Sequence, residues 1–219
     1  MGALITAGRV KQSDLVETYR LMNYFYSIGL YRSAIYASRQ VLTLAHLDDA
    51  ATMTAPAYFN HIRYGAYYRS QILQSAQAEN LDPFLLFSLI RLESMFEGFA
   101  VSGAGAQGLM QIMPATAQEV ASNLGWPPGF TGTDVYRPVV SIRLGSHYLA
   151  QQVKAFSGNL YAALAAYNGG PLNASIWNGL AGNDPDLFLE TVRIQETRSY
   201  IMYIYEIYSI YTQIYTHSP

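Results

Sequence analysis

Hydrophobic and polar residues follow a helical period along nearly the whole chain. Over about 13–28, apolar residues recur at intervals of three and four, at Leu15, Tyr19, Met22 and Tyr26. A second helix is predicted over 31–46, after a break at Gly29. No segment shows the apolar–polar alternation of a half-buried strand. The pattern therefore predicts an all-α protein that begins with a pair of helices, the size of one unit of a helical solenoid.

Start and stop signals divide the rest of the chain into further helices. The predicted helices cover about 64–79, 114–124, 138–156, 159–168 and 196–215, with a short helix around Trp177 before the last one. Pro114 and Pro138 suit a first helical turn, and Asn159 suits an N-cap. The long final helix carries one tyrosine- and isoleucine-rich face, which we expect to pack on the core.

The helix that begins at Asp82-Pro83 carries a carboxylate in an unusual place. Asp caps the free amides of the first turn and Pro fits that turn. An apolar stripe then runs along this helix through Leu85, Leu89, Leu92 and Phe96. Glu93 lies beside the stripe, close to the end of the helix, because Gly98 and Gly103 interrupt the helical pattern beyond it.

An ionised Glu93 would be poorly placed there. Desolvation disfavours the anion, and the negative end of the helix dipole adds a few tenths to about one kcal/mol. Both effects raise the pKa, which is how enzymes prepare a general acid for neutral pH. The alternative is a structural Glu93 paired with Arg91, Arg198 or another arginine, and the spacing alone does not choose between the two.

Composition narrows the possible functions. The 219 residues suffice for one large domain, or for one of about 150 residues with a smaller companion. A net charge of −2 argues against nucleic acid as a partner. There are no cysteines, and the four histidines lack metal-ligand spacing, so we expect no metal and no other cofactor. No run is typical of an export signal or a membrane span, so we expect any export signal to be missing from this chain.

The segment GAGAQG, residues 103–108, fits the glycine fingerprint of dinucleotide-binding folds. That fingerprint needs a strand before it, a long helix after it and an acidic residue about 20 positions further on. Here a helix precedes it, Pro114 interrupts any helix that begins at Gly108, and the next acidic residues are Glu119 and Asp134. We therefore expect a tight connection in which glycines let the backbone turn and lie close to a ligand or to the preceding helix.

Four motifs occur in order between about 75 and 210: LESMF, SGAGAQGLMQIMPATA, AAYNGGP and ETRSY. In this order and spacing they resemble the soluble lytic transglycosylase (SLT) family, which has a lysozyme-like fold. The resemblance implies cleavage of the β-1,4 bond between N-acetylmuramic acid and N-acetylglucosamine in peptidoglycan. That reaction makes no net use of water and leaves a 1,6-anhydro muramyl end. The resemblance also implies a location in the cell envelope, outside the cytoplasm, with peptidoglycan strands as the partner.

The resemblance assigns roles to individual residues. Glu93 is implied to be the single catalytic acid and base. The residues implied to bind the substrate are Ser102, Gln111, Met113, Tyr167, Asn168 and Tyr200. Trp126 and Tyr161 are further candidates for contact with sugars, although such rings are more often part of a core.

Two positions depart from the family pattern. Glu97-Gly98 replace the frequent Asn-Pro, which leaves the local turn geometry open and adds an acid four residues after Glu93. Gly169 replaces a frequent alanine. Two alternatives stay open: a lysozyme-type hydrolase, for which Glu97 is the nearby candidate base, and a non-catalytic glycan-binding or scaffold module.

The chain is expected to contain two parts. Residues 1–56 are predicted to be a helical segment, a remnant of an N-terminal solenoid. Residues 57–219 are predicted to form the lysozyme-like catalytic domain.

Overall fold

The computed structural model describes residues 14–47, 55–182 and 184–216. Most of the predicted first segment falls within this range, but residues 1–13 and 48–54 do not. His217 also lies outside the described residues.

The described residues form eleven α-helices and one short 3-10 helix, Gly132–Tyr136. In chain order the α-helices are α1 Leu15–Ser27, α2 Tyr31–Leu44, α3 Ala57–Arg63, α4 Arg69–Glu79, α5 Pro83–Ser94, α6 Pro114–Leu124, α7 Pro138–Ala155, α8 Leu160–Gly169, α9 Pro171–Ala181, α10 Pro185–Thr191 and α11 Gln195–Thr216. No strand occurs within these ranges, only two isolated bridges in the loop after α5. The predicted all-α class is confirmed.

Local signals in the sequence begin these helices. The Asp82 carboxylate accepts a hydrogen bond from the backbone NH of Phe84 at 2.7 Å and so caps α5. The Asn159 side chain caps α8 by accepting from the NH of Ala162 at 3.3 Å. Pro114 stands in the first turn of α6, as its fixed φ and missing NH allow.

The single helix predicted over 64–79 is wrong at its start, since α4 begins only at Arg69. Before it, Tyr68 adopts a left-handed conformation with φ of 52°. The intervening turn buries Tyr67, whose ring lies 5.0 Å from that of Phe96 and whose hydroxyl donates to the carbonyl of Ile62 at 2.7 Å. Packing of one aromatic side chain thus interrupts a segment whose sequence pattern is helical throughout.

Helix α10 was not predicted, although the sequence carries its signal. The Asp184 carboxylate accepts hydrogen bonds from the backbone NH groups of Asp186 and Leu187, both at 3.0 Å. Asp184-Pro185 is the same pair of residues that begins α5.

Helix α5 runs through the middle of the main core. Its residues Leu86, Leu89 and Ile90 are fully buried, and α11 packs along it. A second cluster joins α6 to α7, and a third joins α1 and α2 to Ile62 of α3. Ile35 of α2 also belongs to the main core. The first two helices therefore contact the rest of the protein through two clusters, the main core and the third cluster.

The glycine-rich loop 103–108 turns tightly between α5 and α6. Gln107 forms bridges with Val101 on one side and Ile112 on the other. Gly108 has φ of 77°, and a Cβ there would lie 2.3 Å from the carbonyl oxygen of Val135. Only glycine satisfies both conditions, so this position serves close backbone packing. No helix in the described ranges is long and apolar enough to cross a bilayer.

Candidate active site

A cavity of about 250 Å³ opens where the loop before α6 meets α7 and the end of α8. The side chains that line it include Gln111, Met113, Tyr148, Tyr167 and Asn168. Four of these five are residues that the sequence predicted to bind substrate. The structure therefore brings together positions from two separate motifs.

Glu93, in the last turn of α5, does not itself line this cavity but lies close enough to act on Tyr167, which does. Its Oε1 accepts a hydrogen bond of 2.8 Å from the Tyr200 hydroxyl on α11. Its negative charge also acts on Tyr167, where together with burial it raises the pKa of that hydroxyl well above the ordinary value. Glu93 thus interacts electrostatically with Tyr167, which lines the cavity, and forms a hydrogen bond with Tyr200, which does not.

The environment of Glu93 favours its protonated form. The pKa of Glu93 is raised from 4.5 to about 7: burial is the largest cause, the Tyr200 hydrogen bond opposes the rise, and the charge of Glu196 adds to it. Tyr200 is itself buried, which raises the pKa of its hydroxyl well above 10, so it stays a donor. At neutral pH the carboxyl group therefore exists in both protonation states, as general acid–base catalysis requires.

Glu93 has no arginine partner among the described residues. Arg91 points elsewhere: its Nε donates to the carbonyl of Arg63 at 2.7 Å and its guanidinium lies 4.3 Å from the ring centroid of Tyr64. Arg198 donates to the carbonyl of Val192 at 3.1 Å. The interpretation of Glu93 as one half of a structural ion pair is therefore wrong.

The loop before α6 is held by the side chain of Gln111. This residue has φ of 46°, and its Nε2 donates to the carbonyls of Gly108 at 2.8 Å and Ala100 at 3.1 Å. Met113, next to α6, is 45% exposed at the edge of the cavity. Gln111 therefore shapes the loop, and Met113 presents an apolar surface to a ligand.

At the other wall, Asn168 is oriented by a residue that the sequence had not singled out. The Thr197 hydroxyl donates to Asn168 Oδ1 at 2.8 Å, and Thr197 is only 1% exposed. Since the amide oxygen is occupied, the two N–H groups of Asn168 remain for a ligand. Thr197 lies within the ETRSY motif, and that position was the signal that could have revealed it.

Two further residues were missed. Tyr148 lines the cavity, and its ring lies 5.3 Å from that of Tyr167. Ser94 comes directly after Glu93, and its hydroxyl lies 2.8 Å from the carbonyl oxygen of Leu109, which ties the end of α5 to the loop. The serine stands in the LESMF motif, whereas nothing in the local sequence marks Tyr148.

Besides Tyr200, three predicted contact residues do not line the cavity. Ser102 is exposed in the glycine-rich loop, where its Oγ accepts from the NH of Ala106 at 3.0 Å. Tyr161 stacks on Tyr205 at 4.7 Å, and Trp126 contacts Arg143 on another surface. Within the described ranges no group of three or more potential metal ligands occurs.

Comparison with known proteins relates this chain to a family. Residues 70–187 match the family described as Transglycosylase SLT domain. Over 197 residues, 89% of this chain, the sequence is 25% identical to the soluble lytic murein transglycosylase of Escherichia coli (strain K12) and covers 28% of it. Over 141 residues, 64% of this chain, it is 29% identical to the protein of the same description from Salmonella typhimurium and covers 22% of it.

A solved structure gives the same result. The lytic transglycosylase Slt of Pseudomonas aeruginosa, in an inactive Glu-to-Gln mutant form, matches with a TM-score of 0.74 and 31% sequence identity. The match covers 97% of this chain and 32% of that one. The chain thus spans less than a third of the length of each of these three proteins.

Proposed function

This chain belongs to the transglycosylase SLT family, and from this premise we propose that it is a peptidoglycan lytic transglycosylase. Its proposed substrate is the β-1,4 bond between N-acetylmuramic acid and N-acetylglucosamine. The observation that carries the proposal is Glu93, a carboxyl group with a pKa of about 7 and no ion-pair partner within the described residues, beside a cavity lined by residues of the family motifs.

In the proposed first step, Glu93 acts as a general acid. Its proton passes to the glycosidic oxygen while the bond from that oxygen to C1 of the muramyl sugar breaks. The N-acetyl oxygen of the same sugar stabilises the positive charge that develops at C1. A pKa of about 7 keeps a large share of Glu93 protonated at neutral pH and still allows the proton to leave.

In the proposed second step, Glu93 acts as a base. The C6 hydroxyl of the muramyl sugar attacks C1, a C6–O–C1 bond closes the 1,6-anhydro ring, and the hydroxyl proton returns to Glu93. No water is consumed and the catalyst is regenerated. Because nucleophile and electrophile belong to one sugar, the attack gains the advantage of an intramolecular reaction.

In this mechanism a single carboxylate, Glu93, serves as both acid and base. Ordinary glycosidases use two, about 5 to 10 Å apart. Glu196 raises the pKa of Glu93 by its charge. Glu97, four residues after Glu93, has an Oε1 that accepts from the backbone NH of Phe99 at 3.4 Å, as a turn-capping group would. A lysozyme-type hydrolysis with Glu97 as base stays the second candidate, and the products distinguish it.

The other site residues are proposed to hold the sugars. Asn168 offers its amide N–H groups to a sugar, because the Thr197 hydroxyl donates to its amide oxygen and so fixes the orientation of the amide. Met113 offers an apolar edge, and Tyr167 and Gln111 form the rigid walls between them. Tyr200 acts through Glu93, and Ser102 would reach a substrate only from the exposed loop. Action on peptidoglycan also implies a location outside the cytoplasm.

Product analysis tests the proposal. Purified sacculi are digested with the full chain, and the soluble muropeptides are analysed by mass spectrometry. We expect products that end in anhydromuramic acid and are one water lighter than hydrolysis products. Reducing-end products that depend on Glu97 would replace the transglycosylase by a hydrolase, and a chain without turnover would support a binding module.

A further inference from the structure

A long groove follows α4, with Tyr31 of α2 at its first part and α7 along its second and third parts, and it is separate from the cavity beside Glu93. It consists of three adjoining cavities of about 760, 420 and 680 Å³. The first and second share Gln71 and Gln74, and the second and third share Glu79. None of the residues that line these three cavities lines the cavity of the candidate active site.

Small residues of both α4 and α7 lie along this groove. Ser75 and Ala78 of α4 and Ala150 of α7 lie along it. On α7, Arg143 and His147 line it one turn apart, whereas Tyr148, the next residue, faces the cavity beside Glu93. Helix α7 therefore separates two surfaces, each with its own set of polar side chains.

Side-chain amides dominate one wall of the groove. Gln71, Gln74 and Gln77 occur at intervals of three on α4, so they share one face of that helix. Gln74 and Gln77 are exposed, and no hydrogen bond to the Gln74 amide occurs among the described residues. A primary amide both donates and accepts, which matches the hydroxyl and acetamido groups of a sugar.

Aromatic rings stand at fixed positions along the groove. The Arg143 guanidinium lies 4.2 Å from the ring centroid of Trp126, and both residues line the middle cavity. Tyr31 and Tyr68 contact edge to face, with centroids 5.6 Å apart, and line the first cavity. Rings with an apolar face and a polar edge are typical of surfaces that bind a ligand of mixed polarity.

The charge of the groove is opposite to that of the chain. Arg69, Arg143 and Lys154 line it, and its one carboxylate, Glu79, is bound to His147 at 3.0 Å. The chain as a whole carries a net charge of −2. The groove thus suits an extended ligand with neutral, hydroxyl-rich units and several anionic groups.

We propose that this groove binds a second segment of peptidoglycan, with sugars against the glutamines and peptide-stem carboxylates against Arg143 and Lys154. The identity of the ligand rests on the proposed function, since peptidoglycan combines these two kinds of group. The groove would hold the polymer while the cavity beside Glu93 acts on another part of it.

Binding is tested first in the full chain carrying Glu93→Gln, so that no turnover interferes. Uncrosslinked glycan strands with peptide stems are titrated, and the NMR signals of the Gln71 and Gln74 side-chain amides and the Trp126 indole are monitored. We expect these signals to shift, and Arg143→Gln to weaken the shift at least about threefold. A neutral chitin hexasaccharide that binds equally well would overturn the assignment of an anionic ligand.

Turnover then separates the groove from the site of reaction. In the active chain, Arg143→Gln and the exposed Gln74→Ala should each lower the rate on intact sacculi at least about threefold. They should leave the rate on a short muramyl tetrasaccharide unchanged, and Arg20→Gln, which removes an exposed cation of α1, should change neither rate. If Arg143→Gln and Gln74→Ala turned over sacculi as fast as the control Arg20→Gln does, the proposal would be overturned. A wild-type chain without turnover would overturn the proposed function instead, and the NMR titration would still decide on the groove.

Discussion

The hydroxyl of Tyr200 lies 2.8 Å from Oε1 of Glu93, across 107 positions of sequence. The two residues come from α11 and α5, which pack along each other in the main core. A donor at this distance stabilises the ionised carboxylate, whereas burial and Glu196 favour the protonated form. The pKa of about 7 is the balance of these opposing effects.

Replacing Tyr200 by phenylalanine should shift the pH dependence of the reaction. Without the donor, the pKa of Glu93 rises further, so the decline of activity on the alkaline side should move to higher pH. Loss of one hydrogen bond to the carboxylate is expected to lower the rate about 3- to 10-fold. Rate profiles on sacculi between pH 5 and 9 measure both effects, with Tyr203→Phe, an exposed position on the same helix, as the control. An unchanged profile would show that Tyr200 does not tune Glu93.

Glu93→Gln should abolish most turnover without unfolding the protein. Glutamine keeps the size of the side chain and an oxygen that can accept from Tyr200, but it neither gives nor takes a proton. The rate on peptidoglycan should fall by at least about 100-fold, the usual contribution of a positioned acid or base. Glu97→Gln is the matched control, and under the proposed mechanism it should stay within a few-fold of the wild type. A fully active Glu93→Gln variant would remove Glu93 from the mechanism.

The same substitution should change how folding stability depends on pH. The folded chain keeps the Glu93 proton up to about pH 7, whereas the unfolded chain releases it near 4.5, so wild-type stability falls as pH rises through this window. The shift corresponds to roughly 3 kcal/mol at full ionisation. Relative to wild type, the Gln variant should therefore gain stability between pH 4 and 8. Denaturant unfolding at several pH values measures this, and Glu206→Gln, at an exposed position of α11, should show no such trend.

Thr197→Val should impair the orientation of Asn168. Valine preserves the buried shape but removes the hydroxyl that donates to Asn168 Oδ1, so the amide is free to rotate. We expect kcat/KM to fall about 3- to 10-fold, the value of one hydrogen bond, mainly through KM. Thr197→Ser keeps the hydroxyl and should restore the parameters. Equal kinetics for Val and Ser would show that the orientation of Asn168 does not matter for the reaction.

A shortened chain of residues 57–219 tests the predicted domain boundary. It should fold and keep some activity, because the candidate site uses no residue before 57. It should also lose about 2–5 kcal/mol of stability, since Ile35 is fully buried in the main core and Tyr31 stacks on Tyr67 at 4.0 Å. Unfolding of this chain, with the full chain stable, would show that residues 57–219 do not fold without α1 and α2. Ile35→Ala in the full chain separates the packing contribution from the truncation.

The sequence alone determined the class of the protein and the position of its candidate acid. Helical period, the Asp82-Pro83 start and the prolines at 114 and 138 act within one turn, so they are readable without the fold. The place of Glu93 near a helix end, among apolar residues, is fixed by the same local rules. The order of four motifs was enough to indicate the family.

Only the tertiary structure decided which groups Glu93 meets. Arg91 and Arg198 were equally available from the sequence, yet both bind backbone carbonyls while Tyr200 reaches the carboxylate. The turn before α4 was decided in the same way, by burial of Tyr67 against Phe96 rather than by propensity. Such contacts join residues far apart in sequence, and their energy depends on how the whole core packs. A periodic pattern reports only which face of each helix is buried, and leaves the partner across the interface undetermined.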